Sequence, residues 1–506
     1  MTVVDKARPG LDALLEAERG LRILLATDPD QPAALGKLAH VLQDQGKLSE
    51  AIAMYRHLAR LDPRDANVFF NLGNALRLSG DLAPAVLAFR QAVALNDGDF
   101  EAHHLLGNAL RDQQQGGEAE LCYQKALKVN PQFCEPLIDL GNLLRSQGKE
   151  SEARDCYRQA IEMRPQFALA HYNLGVSLME QGTMEEAIAC YRRAMAHDPA
   201  LVEAQWNCAL ALLMTGRYSG GWPLFEARLQ KPPKLADRFS EPHWQGQDLS
   251  GKTLLVHAEQ GFGDTLQFVR YLDLICEKNR PAKLILECQP ELTRLLGCMS
   301  RMAHILAGTR DPLPAFDFHI PLLSLPLLFD TRVETIPASI PYIAVDDALQ
   351  EKWRQRLTAE GRKKIGIAWA GRPTHPHDLR RSIPFHALGS LFAQEDCCFI
   401  SLQKNAQNTT LRLIDWTAEL HDFADTAALI AQLDLVICVD TAVAHLAGAL
   451  GKPVWLMNAF ESEWRWMLER GDSPWYPGMR IFRQTVRGQW AAVIDQLAAE
   501  LQRSSA

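Results

Sequence analysis

The stretch PQFALAHYNLGVSLMEQGTMEEAIACYRRAMAHD, residues 165–198, decides how the first half of this chain folds, because its marks recur every 34 residues. Pro165 shares its slot with Pro29, Pro63, Pro131 and Pro199, and Asp97 fills the one slot without proline. Gly182 shares another with Gly46, Gly80, Gly148 and Gly216, and Leu174 a third with Leu38, Leu72, Leu106 and Leu140. Ala187 falls in line with Ala51, Ala85, Ala119 and Ala153, and Tyr191 with Tyr55, Phe89, Tyr123, Tyr157 and Phe225. Columns kept in phase at this period mark a solenoid of helix-turn-helix pairs. The small alanine lets the second helix approach the first, the aromatic ring fills the gap to the next pair, and proline cannot continue a helix.

Working outward, residues 1–31 carry the second-helix half of the pattern and are expected to cap the array, and six full repeats fill 32–235. The third has Gln114 in place of glycine, which predicts a looser turn. The sixth degenerates into Gly216-Arg217-Tyr218-Ser219-Gly220-Gly221-Trp222, and an exposed Trp222 would suit docking onto another domain. The repeats resemble the tetratricopeptide family, whose arrays bind other chains. Polar columns flank the leucines. Asn71, Asn173 and Asn207 share one with Asp139, and Asn74, Asn108 and Asn142 share another with His40. These positions read either as solvated helix surface or as an amide ladder that hydrogen-bonds the backbone of an extended peptide.

Composition bounds the function. The 506 residues are 47% hydrophobic, and 53 basic against 61 acidic residues give a net charge of −8, which argues against a nucleic-acid partner. The 11 cysteines include no CxxC pair, which suits a reducing, cytoplasmic setting. The first ten residues lack a signal-peptide pattern, and no apolar run is long enough for a membrane span, so a soluble protein is expected.

The periodicity ends at Lys231, and 236–250 reads as a linker. Beyond it, β-rich runs at 253–257, 283–287, 318–320, 364–369, 398–402, 435–439 and 454–457 alternate with helical ones, the pattern of parallel sheets. The fold class is α + α/β: a repeat superhelix, then two Rossmann-like halves at 251–345 and 363–487 joined by a helical segment at 346–362. A last helix in 488–506 is expected to return and brace the first half. A cleft between the halves is the natural site.

Two loops carry the candidate chemistry. In Gln260-Gly261-Phe262-Gly263-Asp264-Thr265 the glycines Gly261 and Gly263 let a ligand approach the backbone, and Asp264 reads either as a base toward an acceptor hydroxyl or as a helix N-cap. In Val439-Asp440-Thr441-Ala442-Val443-Ala444-His445 a helix begins with small residues and offers free N–H groups to a diphosphate. Thr441 adds a hydroxyl, Asp440 fixes the turn, and His445 either donates to phosphate or packs. Arg372, Arg380, Arg381 and Lys404 lie at strand ends, where each reads either as a solvated charge or as a supporting cation, and Arg372 or Lys404 is the one expected on the leaving diphosphate. The cluster His375-Pro376-His377-Asp378 and the absence of Asp-x-Asp after residue 250 give no metal site. Trp464, Trp466, Trp475 and Tyr476 read as core or as a sugar platform.

The loop at 261–264, together with Asp440-Thr441-Ala442, Ala444-His445-Leu446 and Gly451-Lys452-Pro453-Val454, resembles two-domain (GT-B) glycosyltransferases of the heptosyltransferase type. The array in front is similar to those of O-linked N-acetylglucosamine transferases and flagellin glycosyltransferases, whose asparagine ladders grip peptide. The resemblance implies metal-independent, inverting transfer from a nucleotide-diphosphate sugar, with Asp264 as general base and the Thr441–Ala442 loop on the diphosphate. Ala442 departs from the glycine usual there. The implied partners are a protein or peptide acceptor and a nucleotide sugar, with no other cofactor. The competing expectations are an inactive adaptor, and a lipid or polysaccharide transferase that uses its repeats for assembly.

Overall fold

A computed structural model of the chain describes residues 10–231, 238–299, 304–307, 313–358, 360–374, 378–404 and 412–505. Residues 375–377, which hold two histidines of the metal-like cluster, lie outside these, as does 232–237 of the proline-rich stretch. The chain forms two compact units, Met1–Leu201 and Val202–Ala506.

In the first unit α1 (Leu11–Thr27) precedes five helix pairs: α2/α3 (Pro32–Asp44, Leu48–Leu61), α4/α5 (Ala66–Leu78, Leu82–Leu95), α6/α7 (Phe100–Asp112, Gly116–Val129), α8/α9 (Glu135–Ser146, Glu150–Met163) and α10/α11 (Ala168–Gln181, Met184–His197). The alanine column is fully buried, at 0% for Ala51, Ala85, Ala119, Ala153 and Ala187. Four of the aromatic rings, those of Phe89, Tyr123, Tyr157 and Tyr191, lie on a glycine of the preceding helix. A methyl group on Gly73, Gly107, Gly141 or Gly175 would come within 2.8, 2.6, 2.4 or 2.7 Å of Phe89, Tyr123, Tyr157 or Tyr191. Glycine is required there because the ring occupies the space of a side chain.

The third turn is not looser. Gln114 takes a left-handed φ of 66°, beside 86° at Gly80 and 78° at Gly148. It also keeps the same closing bonds, Gln114 N–H to Arg111 O at 2.8 Å and Gln115 N–H to Leu110 O at 2.9 Å, as Gly80 to Arg77 and Asp81 to Leu76. The helix ends dictate the conformation, and Gln114 bears its steric cost.

The second unit begins with the sixth pair, α12/α13 (Val202–Met214, Tyr218–Phe225). Trp222 is not exposed. It is 2% accessible, its indole N–H donates to Thr331 O at 2.8 Å, and it packs edge-on against Tyr218, Phe225 and Trp464. The docking expected of it has taken place within the unit and covers the ring.

Two all-parallel sheets follow. The first has strands β1 (Thr253–His257), β2 (Lys283–Cys288), β3 (His304–Ala307) and β4 (Phe318–Pro321) in the order β3-β2-β1-β4. The second has β5 (Lys363–Ala368), β6 (Cys397–Ser401), β7 (Leu413–Ile414), β8 (Leu435–Val439), β9 (Val454–Asn458) and β10 (Met479–Arg483) in the order β10-β9-β8-β5-β6-β7. Strands covered on both faces read as continuous apolar runs, and β6, β8 and β9 are buried at every position. The helix Asp347–Leu357 separates the sheets in sequence. The last helix, Ala491–Ser505, does not brace the first half. Its apolar stripe, Val493, Ile494, Leu497 and Leu501, closes the core of the second sheet with Ile365, Ile367 and Phe399.

Candidate functional site

The first site loop leaves β1 at its carboxyl end, where a parallel sheet opens toward ligands. Ala258 N–H donates to Glu287 O at 2.8 Å, and Gln289 Nε2 donates to Gln260 O at 2.7 Å. Between them Glu259 is clamped by Arg228, from the turn Glu226–Gln230 that follows α13, with Nε and Nη2 donating to Oε1 at 3.1 and 2.8 Å. The chain then enters the helix Phe262–Phe268. Asp264 Oδ2 accepts the Gly261 N–H at 2.9 Å, as a residue in the first turn of a capped helix does. This bond is the cap reading of Asp264. Its other oxygen, Oδ1, accepts from Arg465 of the second half.

The second loop leaves β8 at Val439. Thr441 is extended (φ −147°, ψ 172°) and starts the helix Ala442–Ala449, with Ala444 N–H donating to Thr441 O at 3.0 Å. The two loops touch. A methyl group on Gly263 would sit 2.7 Å from His445 Cδ2, so glycine at 263 is what allows this approach. His445 is a packing residue. It is 5% accessible, shares a 2.9 Å hydrogen bond between Nδ1 and the Tyr476 hydroxyl, and stacks on Trp466. Burial holds its ring well below the ordinary histidine range, so it brings no positive charge to an anion.

The cations are arranged differently from the expectation. Arg372 and Lys404 are on the surface. The guanidinium that reaches the second loop is Arg381, whose Nη1 donates to Asp440 O at 2.9 Å and whose Nε donates to Asp378. A side chain at Gly371 would meet this group, within 2.5 Å of Arg381 Nη2. Arg380 instead pairs with Glu461.

Sequence reading missed Arg465. It lies in the turn Trp464–Trp466, its side chain is 8% accessible, and it donates to Asp264 Oδ1, Glu463 Oε1 and Gln267 Oε1. Arg465 thus joins two carboxylates, Asp264 and Glu463, and the buried Asp440 carboxyl lies within the fields of Arg465 and Arg381 without a bond to either. Burial pushes the Asp440 carboxyl up and the Glu463 carboxyl up to about 7, against the pull of Arg465. The aromatic residues around them are core: Trp464, Trp466, Trp475 and Tyr476 are at most 3% accessible. Among the described residues no group of three or more histidine, cysteine or acidic side chains is placed to hold a metal ion.

The asparagine columns differ among themselves. Asn108 and Asn142 accept from the hydroxyls of Tyr123 and Tyr157, each at 2.8 Å, and the Asn108 amide nitrogen lies 3.4 Å from His104 Nε2 of its own helix. Asn173 is buried and gives its amide to Leu169 O on its own helix, so it is not a ladder rung. Asp139 accepts from His104 Nε2 and Arg111 Nη1, both at 2.7 Å. Asn71, Asn74 and Asn207 are partly buried on their first helices, Asn207 within the second unit.

Tetratricopeptide repeat models match residues 37–100, 100–133 and 138–201, and the model of glycosyltransferase family 9 (heptosyltransferase) matches residues 404–457, which span β7, β8, the Thr441 loop and most of β9. The chain joins tetratricopeptide repeats to a glycosyltransferase domain. Protein FlbA of Caulobacter vibrioides is 28% identical over 316 residues, 56% of this chain. The match takes in 52% of FlbA, so this tetratricopeptide–glycosyltransferase chain spans about half the length of that relative. Among solved structures, MamA is 22% identical with a TM-score of 0.30, over 32% of this chain and 95% of MamA. YrrB, described as a TPR protein with an unusual peptide-binding site, is 22% identical with a TM-score of 0.31, over 37% of this chain and 96% of YrrB. Among the described residues of the fusion no helix is long and apolar enough to cross a membrane.

Proposed function

We propose that the chain is a GT-B glycosyltransferase that transfers a sugar from a nucleotide diphosphate, with inversion and without a metal, to a protein acceptor recruited by its repeats. The observation that carries this reading is the contact between the two loops. Gly263 against His445 brings the Asp264 carboxylate of one half beside the helix start of the other. In the reaction Asp264 takes the proton of an acceptor hydroxyl while that oxygen bonds to the anomeric carbon. The bond from that carbon to the phosphate oxygen breaks, and the leaving diphosphate collects negative charge. The first N–H groups of the helix Ala442–Ala449 and the Arg381 guanidinium are suited to take that charge. In the repeats, the column of Asn74, Asn108 and Asn142, one on the first helix of each of three successive pairs, suits the backbone of an extended peptide.

The test is a thermal-shift screen of nucleotide sugars on the full chain, followed by Asp264→Asn. The variant should keep the stabilisation given by the donor and lose turnover; unchanged turnover would remove Asp264 from the mechanism. Stabilisation by none of them would favour the adaptor reading. Mass spectrometry of proteins from cells with and without the chain then separates a protein modifier from a lipid or polysaccharide transferase.

A further inference from the structure

We propose that Arg465 is the positioning residue that orients Asp264 from the second half, an inference that rests on Asp264 being the base. Asp264 belongs to the first half and Arg465 to the second, 201 positions later in the chain. A carboxylate held by one hydrogen bond can rotate about it. Asp264 is held by two, Oδ2 on the Gly261 N–H of its own loop and Oδ1 on Arg465 Nη2, so the two halves together fix its orientation.

Arg465 is itself fixed on all sides. Nε donates to Gln267 Oε1, one turn beyond Asp264 on the same helix, so the guanidinium spans the helix face that carries the carboxylate. Nη1 is held by Glu463, whose other oxygen accepts the Arg465 backbone N–H at 2.9 Å. The plane lies over the Trp464 ring at 4.3 Å, with Phe268 at 5.7 Å. A planar fork with three acceptors on its edges and an aromatic floor is a geometry that lysine cannot reproduce. Glu463 also shares the positive charge, so Asp264 does not face an undivided guanidinium. A residue serving only as a staple between the halves would not need to end on the carboxylate of the reactive loop.

The test uses the full chain with Arg465→Met and Arg465→Lys. Crystal structures of both should show the Asp264 carboxylate turned away from its place on Gly261; a carboxylate that stays in place in both variants overturns the proposal. Kinetics give the second readout. Release of nucleotide into water is followed with UDP-N-acetylglucosamine, GDP-mannose, ADP-glucose and dTDP-rhamnose as probes. The turnover of whichever sugar the native chain cleaves should fall by roughly 100-fold in both variants, with its KM nearly unchanged, as for a misplaced catalytic group. Methylguanidine added to Arg465→Met should restore part of the rate. A rise in KM at constant turnover, or an equal further loss when Arg465→Lys is added to Asp264→Asn, overturns the positioning role. Full turnover in Asp264→Asn alone would instead sink the base assignment, and cleavage of none of the four sugars would count against the transferase reading. In either case the crystal structures still decide whether Arg465 holds the carboxylate.

Discussion

Gly263→Ala puts a methyl group where the structure has no room for it. The added carbon lies 2.7 Å from His445 Cδ2 and 3.3 Å from Nε2, so the contact must open by about 1 Å to reach an ordinary carbon–carbon separation. His445 cannot retreat, since its Nδ1 is bonded to Tyr476 and its ring is stacked on Trp466 at a centroid distance of 5.3 Å. Overpacking of this kind costs about 1–3 kcal/mol, about 2–3 against a ring that cannot retreat, and the helix gains back up to about 1 kcal/mol from alanine, a net loss of about 1–2 kcal/mol. A unit of roughly 300 residues unfolds with an entropy near 0.6 kcal/mol/K, so its melting temperature should fall by about 2–3 °C. Calorimetry on the full chain measures this. Gly261→Ala is the milder comparison, because its new methyl group meets only one atom, Asp264 Oδ2, at 3.3 Å. In a His445→Ala background the methyl group fills the vacated space, and Gly263→Ala should then cost nothing. A normal melting temperature for Gly263→Ala, or the same loss with and without His445, would refute the contact between the two loops.

Three further outcomes are expected. Gln114→Gly should stabilise the first unit by about 0.5–1 kcal/mol, the left-handed strain relieved less the extra freedom of glycine when unfolded, read as slower amide exchange in α6 and α7. A fragment beginning at residue 202 should melt cooperatively, whereas one beginning at residue 240 should not fold: it loses Trp222, worth about 3–5 kcal/mol, and leaves the 1%-accessible Glu259 side chain without Arg228. Burial holds His257 down at about 3, so below the ordinary value of 6.5 the unfolded chain binds a proton that the folded chain refuses, and stability must fall as pH falls. The loss is about 1.4 kcal/mol at pH 5.5 for this one group, and His257→Phe should abolish it in urea titrations at pH 7.5 and 5.5.

The repeats were legible because each contact joins residues a fixed distance apart, and a periodic contact leaves a periodic mark. One mark was overlooked: the Leu-Gly pairs at 72–73, 106–107, 140–141 and 174–175 keep the same spacing as the rings they seat. The central strands were all legible, as was the edge strand Phe318–Pro321. The three that sequence reading passed over, His304–Ala307, Leu413–Ile414 and Met479–Arg483, all lie at sheet edges, where one neighbour is missing and a long apolar run is not needed. The site was legible only loop by loop. Asp264 and Thr441 stand beside glycines and small residues that signal a ligand loop, but Arg465 sits in an aromatic run with no such sign. Its role comes from a pairing over 201 positions that no local spacing encodes. Arg381 was preferred to Arg372 by the course of the loop after β5, where Gly371 N–H donates to Ser382 Oγ at 3.0 Å and Ile383 N–H donates to Trp369 O at 2.8 Å, which turns Arg381 inward.

The end of a repeat pattern and the edge of a physical unit need not coincide, and here they differ by a whole repeat. The periodic columns run on through Gly216 and Phe225, yet the unit boundary falls at Leu201. The reason is visible in what the sixth pair buries. A second helix in the array needs an alanine and one ring to pack on its neighbours, but α13 adds Tyr218, which stacks on Trp475, and Trp222, and both meet Trp464 edge-on. Arg228 then puts a buried charge onto Glu259, five residues before Asp264, and a third partner, Ser324, accepts from Nη2 at 2.8 Å. A buried guanidinium with two carboxylates, Glu226 and Glu259, tolerates little displacement, because any shift leaves a charge unpaired. Arg228 therefore ties the start of the Gly261 loop to the last repeat as Arg465 ties its end to the second half. Between these two anchors the loop that carries Asp264 has little freedom to take up another shape.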